Sequence, residues 1–246
     1  MKEGDNEMSD YLQFLTNVGI GGAHPGGLPL TKAILANEPI EKTTDILDVG
    51  CGTGQTAAYI AKCYGCHVIA LDNEKKMLEK AATRFQNERV DVQLVESTAE
   101  RLPFKNNRFD YVLAESVITF TEVDTVLNQC FRVLKSGGQL LAIEMTKVAN
   151  DVLREDDEKQ VQSFYGIKAI LTEDEWCSKM KAIGFTEVNV MTFGEKYSKK
   201  GLEEISELTL SPHFDFHALR TWLEHQELMT KLRHQITYRV YKATKG

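Results

Sequence analysis

Long apolar runs are absent from this 246-residue sequence. No stretch reaches the roughly 18–20 apolar residues that a membrane-spanning helix requires, so no membrane span is expected. The opening Met1-Lys-Glu-Gly-Asp-Asn-Glu7 has no apolar segment behind it and gives no sign of a secretory leader. Cysteine is sparse and odd in number, five residues at scattered positions. A disulfide framework needs an even set, so these read as reduced thiols and the expected location is cytoplasmic. Positive charge is in deficit: 29 Lys+Arg stand against 36 Asp+Glu, a formal net charge of −7. That balance argues against a bulk electrostatic pull on nucleic acid, and no nucleic-acid partner is expected. Internal repeats, low-complexity tracts and Pro/Ser-rich linkers are also missing, which leaves a single domain over residues 1–246. The 42% hydrophobic content is ordinary, and a chain of this length can bury a full core.

What is present is concentrated in Asp45-Ile-Leu-Asp-Val-Gly-Cys-Gly-Thr-Gly-Gln55. An apolar run leads into Asp48. Three glycines follow at alternate positions, Gly50, Gly52 and Gly54, and a helical pattern starts at once. This is a buried strand, a tight turn and a helix start. Glycine has no Cβ, so a ligand can lie directly on the backbone, and free N–H groups at a helix start favour a carboxylate or phosphate. Dinucleotide sites use G-x-G-x-x-G, with the third glycine three places after the second. Here that place is Gln55, and the third glycine comes one residue early. The second landmark is His67-Val-Ile-Ala-Leu-Asp72, an apolar strand ending in an acid 18 residues after Gly54. A carboxylate there can reach a ribose diol.

Strand and helix alternate through the first 145 residues. Tyr11, Leu12, Phe14 and Leu15 supply one face of a short helix, and Thr31–Ala36 reads as another. The Gly19–Gly27 run between them is too glycine-rich for regular structure. His24 within it reads either as a loop residue packed over the sheet or as a group that orients a substrate or takes a proton. Strands are expected at 45–49, 67–71, 91–95, 109–115 and 139–145. Helices are expected at 55–64, ended by Gly65, at 74–86 with Met77 and Phe85 inward, and at 121–134. Glu115 ends the fourth strand, where α/β folds place ligands. Glu144 near the end of the fifth strand is a second acid candidate. A carboxylate at such a place acts as a general base, holds a cationic group, or frames the loops.

Taken in order, Asp48-Val-Gly-Cys-Gly-Thr-Gly54, Asp72, Ser97-Thr-Ala-Glu-Arg-Leu-Pro-Phe104 and Leu134-Lys-Ser-Gly-Gly138 resemble the motifs of class I S-adenosylmethionine-dependent methyltransferases. The broad superfamily concerned includes ubiquinone/menaquinone-biosynthesis-type enzymes, and the resemblance covers residues 45–145. It implies a Rossmann-like, doubly wound α/β fold: a seven-stranded, mostly parallel sheet with an antiparallel edge hairpin and helices on both faces. It implies S-adenosylmethionine as cofactor. The Gly50, Gly52 and Gly54 loop with Asp48 would then seat the methionyl end, and Asp72, with Asn73 beside it, the ribose. Met77, Thr98, Ala99 and Glu100 would border the adenine, with Glu115 framing the cofactor. Thr98 stands where the family usually has an acid, and its hydroxyl can accept from the adenine amino group without carrying charge. The implied layout is an N-terminal cap (1–40), a cofactor-binding core (41–145) and substrate-cover segments with the last two strands (146–246).

Beyond residue 146 a polar, acidic stretch leads to Ser163-Phe-Tyr-Gly166, the kind of segment that covers the substrate in this family, and it adds Tyr165 to the candidates. Thr172-Glu-Asp-Glu175 is a capping box opening a helix with Trp176, Met180 and Ile183 inward. Thr186–Phe193 and Gln235–Ala243 read as the last two strands. Residues 201–233 read as two helices, with Phe214, Phe216, Trp222 and Leu223 in core or lid packing. Cys63 and Cys66 form a C-x-x-C without a second Cys/His pair at metal spacing, so a structural role and no metal are expected. Lys196, Lys199 and Lys200 with Tyr197 read as a solvated loop. No Asn/Asp-Pro-Pro-Tyr-like element, common in base-modifying methyltransferases, follows the fourth strand.

The expected function is methyl transfer to a small-molecule acceptor by in-line displacement. His24, Glu115, Glu144 and Tyr165 are the candidate catalytic residues, and a monomer or homodimer is the expected unit. The alternatives are a methyltransferase acting on tRNA or protein and a non-catalytic S-adenosylmethionine-binding module. A dehydrogenase is disfavoured by Gln55.

Overall fold

The computed structural model describes residues 9–19, 24–149, 153–193 and 215–246. Its strands are β1 (Asp45–Val49), β2 (His67–Asp72), β3 (Gln93–Glu96), β4 (Phe109–Glu115), β5 (Leu134–Lys147), β6 (Phe185–Met191) and β7 (Ile236–Lys245). They form one sheet in the order β3-β2-β1-β4-β5-β7-β6. β1 pairs in parallel with β2 and β4, and β3 and β5 continue the parallel set outward. β7 runs antiparallel between β5 and β6. The expected antiparallel pair is therefore present, with β6 at the edge and β7 inside.

Strand β1 is buried along its length except for its first residue, because helices cover both faces of the sheet. Ile46 joins one core, packed under α2 (Gly27–Leu35), α3 (Gln55–Tyr64) and α4 (Lys75–Glu88). Leu47 and Val49 point the other way, into a core closed by α5 (Val123–Val133) and α7 (Glu173–Ile183). A third cluster joins α6 (Glu155–Tyr165) to α8 (Phe216–Lys231), with Tyr11 of α1 (Asp10–Val18) packed against it. The chain leaves β1 toward one face of the sheet and β4 toward the other. Their C-terminal ends consequently bound a crevice, the usual ligand position in open α/β sheets.

Most expected elements form where the pattern places them. Helix α3 spans the expected residues, and Gly65 ends it in a left-handed conformation (φ 62°) with its N–H on the Ala61 carbonyl. Strand β5 departs from expectation, starting at Leu134 rather than at residue 139 and taking in Lys135-Ser-Gly-Gly138. The register against β4 slips between Phe109 and Tyr111 to absorb it. Helix α5 starts at Val123, after a separate 3-10 turn over Ile118–Phe120. Phe216 and Leu223 are not core: they are 83% and 52% exposed, on the outward side of α8. Trp222 does pack inward, against the Phe14 and Val18 side of α1. Phe214, the first of the two expected C-terminal helices and the Lys196–Lys200 stretch lie outside the described residues.

Helix α7 opens with both bonds of the capping box. Glu175 N–H donates to Thr172 Oγ1 at 3.3 Å, and Thr172 N–H donates to Glu175 Oε2 at 2.7 Å. Thr172→Ala is expected to cost about 1 kcal/mol and to lower the thermal midpoint by about 2–4 °C. A melt indistinguishable from wild type would deny the box its stabilising part.

Candidate functional site

The turn after β1 is built from glycines in left-handed conformations. Gly52 has φ +53°, and a Cβ there would meet no protein atom within 4 Å, so the missing side chain leaves open cavity. Gly50 has φ +68°, and its Cβ would fall 2.4 Å from Val117 Cγ2. The loop is tied from two sides. Gly52 N–H donates to Asp72 Oδ2 at 2.8 Å, while Asp72 Oδ1 accepts from Glu74 N–H at 2.9 Å. Arg84 Nε of α4 donates to the Thr53 carbonyl at 2.9 Å.

Above this loop lies a cavity of roughly 630 Å3. Asp48, Gly50, Gly52, Asp72, Asn73, Met77, Thr98, Ala99, Glu100 and Glu115 all line it, as does His24. Gly54 does not. A Cβ on it would lie 2.7 Å from the Phe85 ring and 3.0 Å from Ala81 Cβ, so its role is close packing of α3 on α4. Asp48, Asp72 and Glu115 stand close enough in its wall to act on one another. Burial raises Asp48 well above the usual carboxylate range, with Glu115 and Asp72 adding to the effect. Burial likewise raises Asp72, against the N–H bonds of Glu74 and Gly52. Among the described residues Asp48 Oδ2 has no hydrogen-bond partner, although it is fully shielded. Burial and the two neighbouring acids disfavour the charged form of Asp48, and a cationic ligand in the cavity would restore it. The ammonium and sulfonium groups of S-adenosylmethionine answer that need, so the residues present fit the cofactor that the motifs imply.

Glu115 is held from several sides. Thr31 hydroxyl donates to Oε1 at 2.5 Å and Thr56 hydroxyl to Oε2 at 2.6 Å. His24 Nε2 stands 3.3 Å from Glu115 Oε2 and 3.3 Å from Thr31 Oγ1. Both threonines escaped the reading of the sequence. Thr31 belongs to a helix 84 residues away in the chain, and only the fold brings it to the β4 end. Ser9, which caps α1, and the α1 residues Leu12, Leu15 and Thr16, with Val117, Phe120 and Thr121 after β4, also line the cavity. Helical periodicity could mark an α1 apolar face but not what that face covers.

Two candidates do not reach the cavity. Tyr165 is buried at 1% exposure, its ring edge-on to Tyr11 and its hydroxyl 2.7 Å from His225 Nδ1. Its backbone carbonyl accepts from the Ser9 hydroxyl, so it anchors the start of α1, while its neighbour Gly166 lines the cavity. Glu144 is wholly buried beneath residues 117–119, and its carboxylate accepts from Val117, Ile118 and Thr119 of that segment. Cys63 and Cys66 are free thiols, and among the described residues no group of His, Cys, Asp and Glu could hold a metal. Nor is any described helix long and apolar enough to cross a membrane.

Burial pushes Glu144 up to about 7, against hydrogen bonds from Thr119, Ile118 and Val117 that pull it down. An acid whose folded value lies above its unfolded one holds more protons when folded, so stability falls as pH rises between the two. For Glu144 that window runs from the ordinary 4.5 to about 7, and Asp48 and Asp72 shift the same way. The thermal midpoint of the ligand-free chain is expected to fall across this window, and less steeply in Glu144→Gln. A wild-type midpoint that rises with pH there would contradict the assignment.

Residues 46–138 match a family model described as a methyltransferase domain. The chain is 36% identical over 222 residues to YodH, an uncharacterized methyltransferase of Bacillus subtilis (strain 168), covering 90% of this chain and 93% of that one. It is 34% identical over 122 residues to the ubiquinone/menaquinone biosynthesis C-methyltransferase UbiE of Sinorhizobium fredii. That match covers 48% of this chain and 47% of UbiE. Among solved structures, phosphoethanolamine N-methyltransferase 2 of Haemonchus contortus, in complex with S-adenosyl-L-methionine, superposes with a TM-score of 0.77 at 22% identity. Coverage is 96% of this chain and 56% of that chain. The [4+2]-cyclase SpnF superposes with a TM-score of 0.74 at 21% identity, covering 96% and 93%. At such identities these structures speak to the fold alone, and a cyclase on the same scaffold illustrates why.

Proposed function

This chain belongs to the class I S-adenosylmethionine-dependent methyltransferases, and we propose that it methylates a small-molecule acceptor held beneath its N-terminal helix. S-adenosylmethionine supplies an electrophilic methyl group, so the protein's task is to align an acceptor and exclude water. The observation that carries the proposal is that α1, with its capping residue, places Ser9, Leu12, Leu15 and Thr16 over the same cavity that His24, Asp48 and Glu115 line. A roofed site of this size suits a compact acceptor with an apolar body better than an RNA or protein surface.

Each residue takes a role from its position. Asp48 and the Gly50–Gly52 backbone receive the methionyl end of the cofactor, Asp72 and Asn73 its ribose, and Met77, Thr98, Ala99 and Glu100 its adenine. His24 orients the acceptor and, where the acceptor atom carries a proton, accepts it on Nδ1, which stands 3.3 Å from the Pro25 carbonyl, since Nε2 faces Glu115. Glu115, steadied by the Thr31 and Thr56 hydroxyls, fixes the imidazole and balances the charge it gains. Glu144 and Tyr165 support these groups from outside the cavity. The chain works as a single domain, the cap and cover segments completing the core.

The direct test is label transfer from methyl-labelled S-adenosylmethionine to a cell extract split by size. Label in the small-molecule fraction is expected. Label confined to RNA or protein sinks the acceptor assignment, and tight S-adenosylhomocysteine binding without any transfer points to a sensor. With the labelled product as assay, His24→Ala is expected to lower turnover by about 100-fold while cofactor affinity stays within about twofold. Unchanged turnover would remove His24 from the reaction.

A further inference from the structure

We infer that Glu144 is a positioning residue of the cofactor site, acting through residues 115–119 to set the methionyl side of the cavity. The inference rests on the cofactor placement proposed above. Glu144 touches no part of the cavity, yet its two oxygens take four donors from one short stretch. Oε1 accepts from Val117 N–H at 3.3 Å and from Ile118 N–H at 3.0 Å. Oε2 accepts from Thr119 N–H at 3.0 Å and from Thr119 hydroxyl at 2.6 Å. Successive N–H groups converging on one anion fix the path of the backbone that carries them.

That path is strained. Ser116 has φ +56°, a left-handed conformation uncommon outside glycine. Such a conformation persists only where the surroundings over-determine it, and it gathers at functional sites. Here Ser116 N–H donates to the Ile143 carbonyl at 2.7 Å, and Glu144, the next residue of β5, holds the three residues that follow. The turn at Ser116 has a cavity residue on each side. Glu115 is presented to the Thr31 and Thr56 hydroxyls. Val117 lies against Gly50, where no Cβ fits. Both contacts border Asp48 and the loop assigned to the methionyl end. Four donors in a dry site explain why a carboxylate stands in the buried stretch of β5 after Leu140-Leu-Ala-Ile143. It accepts from all four without offering a proton of its own, whereas a glutamine would turn its NH2 toward one pair of them.

The test compares two ligands on the full chain: S-adenosylhomocysteine, and 5′-methylthioadenosine, which lacks the amino-acid portion. Binding is measured by titration calorimetry at a pH above the value of about 7 to which Glu144 is pushed, with folding checked by circular dichroism. Glu144→Gln is expected to weaken S-adenosylhomocysteine by about tenfold and 5′-methylthioadenosine by less than about twofold. Thr119→Val, which removes only the 2.6 Å hydroxyl bond, is expected to shift the ratio the same way by a smaller factor. A residue that merely supports the fold would lower both affinities alike or neither, and either result in folded Glu144→Gln overturns the inference. Should that variant fail to fold, the ratio in Thr119→Val decides by the same criterion. A wild-type chain that does not bind S-adenosylhomocysteine would fell the cofactor placement itself, and the inference with it.

Discussion

Gly52→Ala is expected to weaken S-adenosylhomocysteine binding by about thirtyfold, roughly 2 kcal/mol, while the chain remains folded. The expectation follows from what each glycine of the loop faces. A methyl group on Gly52 points into open cavity, with no protein atom within 4 Å, so the protein itself has room for it. The ligand does not, because the methyl occupies the surface on which the cofactor would lie. The backbone cost is that of an alanine at φ +53°, about 1–2 kcal/mol. Gly50→Ala provides the contrast. Its Cβ would stand 2.4 Å from Val117 Cγ2, so it damages stability as well as binding. Titration calorimetry with thermal melts of both variants separates the two effects. Wild-type affinity in Gly52→Ala would mean that the cofactor does not approach this backbone, and the loop assignment would fall.

Trp176→Ala is expected to cost about 3–5 kcal/mol of stability, with a fall in thermal midpoint of about 10 °C or more. Trp176 is 1% exposed and lies in the core between α7 and the sheet, its ring 5.6 Å from that of Tyr241. Removing it leaves a cavity that the close-packed β5 and β7 strands cannot readily fill. It also strips the Met145 carbonyl of the indole N–H that now donates to it at 3.1 Å. Trp176→Phe keeps most of the volume and loses the bond, so about 1–2 kcal/mol is expected. Trp176 does not line the cavity, so cofactor affinity measured well below the melt should stay near wild type in both variants. A denaturation midpoint for Trp176→Ala close to wild type would show that α7 does not anchor the sheet.

The part of the candidate site proposed for the cofactor was legible as one cavity wall because its determinants are local. Asp48 lies in one strand with Gly50 and Gly52 just after it, Asp72 ends the next, and each is fixed by its place in a strand–turn–helix unit. Gly54 shows the limit of that legibility. It belongs to the same spacing, but Phe85 and Ala81 on a different helix, not the ligand, account for it. The acid candidates separated for a similar reason. Glu115 ends β4 and Glu144 lies near the end of its neighbour β5, so the two look alike in sequence, yet one faces the cavity and the other lies beneath residues 117–119. Phe216 and Leu223 were misjudged because hydrophobicity alone does not say which side of a helix finds a partner.

By itself the sequence determined the alternation of strands and helices, the caps at Gly65 and Thr172, and the glycine-and-acid pattern of the candidate site. These features depend on neighbours a few residues apart, where backbone preference and side-chain period decide the outcome. The tertiary structure alone decided that Thr31 and Thr56 steady Glu115, that Tyr165 anchors α1 from outside the cavity, and that Glu144 holds residues 117–119. Those arrangements join residues 25 to 156 positions apart. Only the packing of helices on a sheet, with the β1 and β4 ends opening at its switch point, sets which of them meet.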